Sequence, residues 1–210
     1  MTLAQGATPD RGSRPVSSRT TWHGALGAVV AAAAATADTG AGALLGSGCT
    51  GCHGPAGVTA GAAIPSIAGL DKIYLARVMV QFKNDERPST IMGRIARGYE
   101  DSELRTMAKH FGGLSWSAWK IAADGKSLDG GRPIHEKVCA ECHEQEGRYQ
   151  DRDTPRIAGQ APEYLFLSLL QYRDPQPGTK LPQPDKMLDA LKPLSDDELR
   201  VLALYYASRE

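Results

Sequence analysis

Cys-Thr-Gly-Cys-His at Cys49 to His53 recurs as Cys-Ala-Glu-Cys-His at Cys139 to His143. Two thiols three positions apart, at the start of a helix, can add to the two vinyl groups of one porphyrin, and the adjacent His offers a nitrogen to the iron. The chain has four Cys, and the two motifs use all of them. The implied chemistry is electron transfer by two covalent hemes c. Cys49, Cys52, Cys139 and Cys142 would be the thioether positions, with His53 and His143 as proximal ligands. Two disulfides or a four-thiolate zinc site are the competing uses of the thiols. Both leave the His after each pair without a role.

A sixth ligand must come from elsewhere. Beyond residue 37 the methionines are Met79, Met92, Met107 and Met187. Met92 and Met187 fall in corresponding loops after the two motifs, where a side chain can reach over a heme face. A thioether there would stabilise ferrous iron and raise the potential. Met79 and Met107 lie in apolar helical stretches and read as packing residues. His110 and His135 are rival ligands, though both read more simply as residues facing solvent or packing near the surface. With both irons six-coordinate, no open site is left for peroxide or oxygen, so no catalytic residue is assigned.

These groups need elements to hold them, and the chain repeats itself. A shift of 90 residues lays Cys49 on Cys139 and Pro65-Ser66-Ile67-Ala68-Gly69 on Pro155-Arg156-Ile157-Ala158-Gly159. It also lays Tyr74-Leu75 on Tyr164-Leu165, and Gln81-Phe82-Lys83 on Gln171-Tyr172-Arg173. Later the shift is 95, with Glu103-Leu104-Arg105 matching Glu198-Leu199-Arg200. The extra residues fall in the Pro- and Gln-rich stretch from Asp174 to Asp185. Two similar units follow, one heme each.

Apolar residues at helical spacing predict helices over Tyr74 to Lys83 and Pro162 to Arg173. Ser195-Asp196-Asp197-Glu198 predicts a capping box that opens the last helix. No alternating strand pattern is present, so the fold class is all-α, with three or four helices around each ring. The Gly-rich boundary stretch reads as a linker. The expected domains are 38–116 and 133–210, joined by 117–132.

Arg11, Arg14 and Arg19 precede an apolar run from Ala25 to Ala35, followed by Ala35-Thr36-Ala37. This predicts a signal peptide over 1–37 and export to the periplasm. A retained anchor is the competing reading, but the run is too short to span a membrane. Twenty-four basic residues balance 24 acidic ones, and loss of 1–37 leaves a slight acidic excess. No basic patch points to nucleic acid. Aromatic content is 6%, so side chains alone would build thin cores and a buried heme would supply apolar area.

The repeated Pro-x-Ile-Ala-Gly with its following Tyr-Leu resembles the diheme class I cytochromes c. The resemblance implies two tandem class I cytochrome c domains. It also implies that the Pro65 and Pro155 carbonyls accept the hydrogen bonds of the proximal histidines. A longer match, Gln81-Phe82-Lys83 and then Ser89-Thr90-Ile91-Met92-Gly93-Arg94-Ile95-Ala96-Arg97-Gly98-Tyr99, resembles the cytochrome subunit of flavocytochrome c sulfide dehydrogenase. That resemblance implies Met92 as ligand to the first heme, and Met187, in Lys186-Met187-Leu188, to the second. It is strong across the first unit and looser over Glu144 to Thr154 and near Pro175. It further implies a partner flavoprotein carrying FAD that oxidises sulfide, and an external acceptor cytochrome. This chain has no dinucleotide fingerprint of its own. The alternative is a free-standing diheme carrier feeding a terminal oxidase. A catalytic diheme enzyme is a third reading. Arg94 and Arg97 could pair with heme propionates, meet the partner, or stay solvated.

Overall fold

The computed structural model describes residues 40–120, 128–175 and 185–210. The expected signal peptide lies outside them, as do 121–127 of the expected linker and 176–184 of the Pro-rich stretch. Among the described residues the regular structure is helical, with no strand. No helix among them is long and apolar enough to cross a membrane.

The first half opens with α1 (40–46), which runs through a 3₁₀ turn (Ser47–Cys49) into α2 (Thr50–His53). It continues through α3 (Lys72–Lys83), α4 (Met92–Ala96) and α5 (Asp101–Gly112). Asp71 starts α3 by accepting the Ile73 and Tyr74 amides at 2.8 and 2.9 Å, which satisfies two otherwise orphaned donors. Helix α1 crosses α5 closely because its facing residues are glycines. A Cβ at Gly42 would sit 2.9 Å from the Thr106 carbonyl, and one at Gly46 would meet the Phe111 ring at 2.9 Å.

The second half repeats the plan with α6 (Arg132–Ile134), a widened π turn (His135–Cys139) and α7 (Glu144–Gly147). Then come α8 (Pro162–Arg173), α9 (Asp185–Leu191) and α10 (Asp196–Ala207). The capping box is formed: the Glu198 carboxylate accepts the Ser195 amide at 2.8 Å, and Ser195 Oγ accepts the Glu198 amide at 3.3 Å. Residues 128–131 already pack against α10. Leu128 is buried, and a Cβ at Gly131 would meet that of Tyr205.

Each half has its own apolar core. The first gathers Leu70, Leu75, Ala108 and Phe111. The second is larger and joins Leu165, Phe166 and Leu191 to Leu199, Leu202, Tyr205 and Tyr206. The duplication holds at the level of single hydrogen bonds. The Gly57 carbonyl accepts the amides of Ile67 and Ala68, and the Gly147 carbonyl accepts those of Ile157 and Ala158. Gly69 N–H reaches the Phe111 carbonyl at 2.9 Å, and Gly159 N–H the Tyr206 carbonyl at 2.8 Å. Both glycines have positive φ, 68° and 69°.

Polar pairs join the halves. Gln160 and Ser66 are each 2% exposed. The Gln160 side-chain amide grips both backbone groups of Ser66, accepting its N–H at 2.8 Å and donating to its carbonyl at 2.9 Å. Gln150 does the same for the Asp71 amide and the Gly69 carbonyl. Arg77 pairs with Asp153, and the Tyr164 amide bonds the Ala62 carbonyl.

Candidate cofactor sites

The first motif closes a tight turn. Thr50 Oγ1 donates to the Ser47 carbonyl at 2.7 Å, and His53 ends α2 at 7% exposure. Its Nδ1 lies 2.8 Å from the Pro65 carbonyl. A carbonyl can only accept, so Nδ1 carries the proton and Nε2 keeps its lone pair. Burial lowers the pKa of this ring, and the Pro65 carbonyl opposes the shift in part. At neutral pH the imidazole is therefore a neutral donor in a fixed tautomer, which is the form a metal ligand needs. Burial also raises the Cys49 thiol, with Cys52 adding to the effect, while Cys52 itself is exposed.

The second motif is the same device built less tightly. His143 Nδ1 is buried without a hydrogen bond of good geometry. The Pro155 carbonyl still raises the ring's pKa, but burial and the neighbouring His135 outweigh it and hold the pKa at about 4. A local cause is visible where the chain leaves the motif. Gly54 follows His53 at φ +78°, and a Cβ there would overlap the Val58 carbonyl. The equivalent residue is Glu144, which a side chain bars from that path. The chain instead takes positive φ already at Gln145, where the first half has Pro55, and then at Glu146, as the first half does at Ala56.

The four thiols are not paired with one another. Among the described residues no group of three or more His, Cys, Asp or Glu gathers as a metal cluster. The residues fit covalent heme instead: exposed or half-exposed thiols beside a neutral imidazole, buried at His53 and half-buried at His143. The orphaned His143 ring is the one buried side-chain group of either motif left without a partner.

Met92 and Met187 differ from the loop positions expected for them. Met92 is the first residue of α4 and Met187 lies within α9; both are half-buried. Short helices satisfy the backbone there while leaving the side chains partly open. Met187, Cys139 and Ile157 pack against one common apolar core. Met107 is buried in α5, and Met79 is half-buried in α3.

His135 departs from the surface position read for it. It is 5% exposed, and its Nδ1 lies 2.8 Å from the Tyr206 hydroxyl. Burial lowers its pKa, with Glu146 opposing. The Tyr206 hydroxyl also acts on Cys139, whose thiol is raised mainly by burial. His110 packs edge-on against Phe111. Arg97 pairs with Asp85 at 2.8 Å, whereas Arg94 is exposed.

Sequence reasoning missed Arg87. It is 7% exposed and sits among Tyr74, Phe82 and Tyr172. A lone Arg in a loop carries no periodic signal, because its surroundings come from both halves.

No family model matches the chain. Over 74 residues it is 43% identical to the cytochrome subunit of sulfide dehydrogenase from Chlorobaculum tepidum, covering 35% of this chain and 66% of that one. Over 173 residues it is 28% identical to a thiosulfate dehydrogenase electron acceptor from Stutzerimonas stutzeri, covering 76% and 78%. Reduced recombinant cytochrome c4 from Pseudomonas stutzeri has the same fold, with TM-score 0.68 at 21% identity over 82% of this chain and 98% of that one.

Proposed function

We propose that this chain is a diheme class I cytochrome c and serves as the electron-transfer subunit of a flavocytochrome c sulfide dehydrogenase. The carrying observation is the 43% identity to a sulfide dehydrogenase cytochrome subunit. The Ser89 to Arg97 sequence supports it. On this reading residues 38–116 and 133–210 each hold one heme c through Cys49 and Cys52 or Cys139 and Cys142. When bound, each heme supplies a one-electron iron couple.

The residues of the chain tune and insulate that couple. Pro65 holds the His53 ring in one tautomer, leaving Nε2 as the nitrogen that would hold iron. His143 Nδ1 has no such partner, so its tautomer is not held by Pro155 in the same way. Met92 and Met187 supply thioethers that favour the ferrous state. The amide pairs between the halves fix the two sites relative to each other and keep water from the buried seam. No residue of this chain takes part in breaking or making bonds in sulfide. That step belongs to a partner flavoprotein with FAD, which takes two electrons and releases them singly. The expected signal peptide places the complex in the periplasm, with an external cytochrome as acceptor.

A second reading has its own support. The match to a thiosulfate dehydrogenase electron acceptor spans far more of the chain, which suits a free-standing diheme carrier. Purification of the tagged protein from its native periplasm separates the two. A stoichiometric flavin-containing chain, and rapid heme reduction by sulfide, is the expected result. A lone diheme chain that sulfide does not reduce, but other cytochromes do, would establish the free carrier.

A further inference from the structure

The two methionine-bearing helices are tied down differently. In the first half, α4 lies against the end of α3 through Gly93, where a Cβ would come within 3.1 Å of the Phe82 carbonyl. Ser89 Oγ accepts the Gly93 amide at 2.8 Å. At the far end of α4, Arg97 pairs with Asp85 at 2.8 Å. Both ends of that helix are therefore held by the loop that leads into it. In the second half the position of Gly93 falls to Leu188, and a side chain there needs more room than that contact leaves. Leu191, 2% exposed, anchors the end of α9 in the core. The first turn is less covered: Asp185 and Lys186 are exposed and Met187 is half-buried.

An ion pair ties that turn instead. Lys186 Nζ donates to Glu141 Oε1 at 2.9 Å. Among the described residues no other side-chain bond joins the first turn of α9 to the rest of the chain. Glu141 lies inside the second Cys-Ala-Glu-Cys-His, two residues before His143, and Lys186 directly precedes Met187. Axial ligands approach an iron from opposite faces. The pair thus joins the segment that would supply one of them to the segment that would supply the other. The first half cannot make it, because the corresponding residues are Gly51 and Ile91.

We infer that Glu141 and Lys186 are positioning residues for the second site: their ion pair keeps the Met187 thioether within reach of the iron that His143 would hold. The inference rests on the reading of Met187 as an iron ligand and not on the identity of the partner. Both side chains are 77% exposed, so the tether is weak and salt screens it. Ligation by Met187 therefore loosens as ionic strength rises. Ligation by Met92 does not, because the uncharged Ser89 bond holds the start of its helix. The two irons of one chain then differ in how readily they give up a ligand.

The test uses the mature diheme protein in its ferric form. Imidazole is added as a competing ligand, and loss of the thioether-to-iron charge-transfer band is followed by stopped flow at low and at high sodium chloride. The part of the signal that Met187→Ala removes belongs to the second site. Glu141→Gln and Lys186→Gln should each speed that part about two- to fivefold, the range an exposed ion pair supplies, and remove its salt dependence. They change the net charge in opposite senses, so a common direction of effect isolates the pair. Glu141→Lys combined with Lys186→Glu should restore the slow rate. All of these changes to the pair lie at exposed positions, so each protein should carry two hemes by absorbance. If the Met187 signal keeps its rate and its salt response in both single variants, the inference is overturned and the ligand reading stands. If Met187→Ala removes no part of the signal, the ligand reading fails and takes the inference with it. The sulfide reading fails separately, by the missing flavoprotein.

Discussion

At the scale of single residues, the two sites are alike in chemistry and unlike in constraint. His53 has its Nδ1 proton committed to a carbonyl at 2.8 Å, whereas His143 is half-buried and its buried Nδ1 has no partner. The thioethers proposed opposite them are testable one at a time. Met92→Ala is expected to lower one heme's potential by on the order of 0.1 V, a fraction of the ~0.8 V range that axial ligands span. It should also weaken that heme's low-spin absorption, as read by spectroelectrochemistry. Met79→Ala, in the middle of α3, should do neither. If Met92→Ala leaves both hemes spectrally unchanged, Met92 is not a ligand. The Cys and His positions were legible because the two motifs have a fixed local spacing; the Pro65 contact followed from the family resemblance instead, and its counterpart at Pro155 is not formed. Arg87 and His135 were not, because their burial is decided by residues far away in the chain.

At the scale of elements, helix starts carry more of the design than propensity does. The last helix of each half opens with a reciprocal cap, Glu100 with Glu103 and Ser195 with Glu198. The second was readable from Ser-Asp-Asp-Glu; the first was not, because Glu is an unusual N-cap. Met92 and Met187 read as loop residues, since helices of one or two turns are too short for periodicity to register. Ser195→Ala should cost about 1 kcal/mol, measured as a fall in the thermal midpoint. The cap also carries a pH signature. The Ser195 amide, then its hydroxyl, hold the Glu198 carboxyl below its ordinary value. Its folded-state pKa is thus depressed, so its contribution is complete above the unfolded value near 4.5 and is lost as pH falls through the folded one. Glu198→Gln should flatten the acid limb of the stability curve below that pH. An acid limb as steep as that of the unsubstituted protein would mean that the carboxylate is not the group stabilising the start of α10.

At the scale of the whole molecule, the duplication was legible but the joint was not. A shift of 90 residues shows two units and says nothing of how they meet. The joint turns out to be made from positions where the copies differ. Gln160 falls on Leu70, and Gln150 falls on Ala60. Amides in one copy have replaced residues that only pack, or do nothing, in the other. Each amide then bonds backbone groups of the opposite half, and polar groups left unpaired in a buried seam are costly. Gln160→Ala would strip the Ser66 N–H and carbonyl of their partners at a site 2% exposed. The expected loss is roughly 3 kcal/mol, a large part of the 5–15 kcal/mol typical of a domain. Because each half keeps its own core, the melt should also broaden or split when heme absorbance and far-ultraviolet circular dichroism are followed together. A single sharp transition at the unsubstituted midpoint would mean that the halves do not depend on this amide. The fixed relation between the two proposed heme sites would then have to rest on the Gln150 bonds, the Arg77–Asp153 pair, the Tyr164–Ala62 and Gln171–Pro88 bonds and the Arg87–Tyr172 contact.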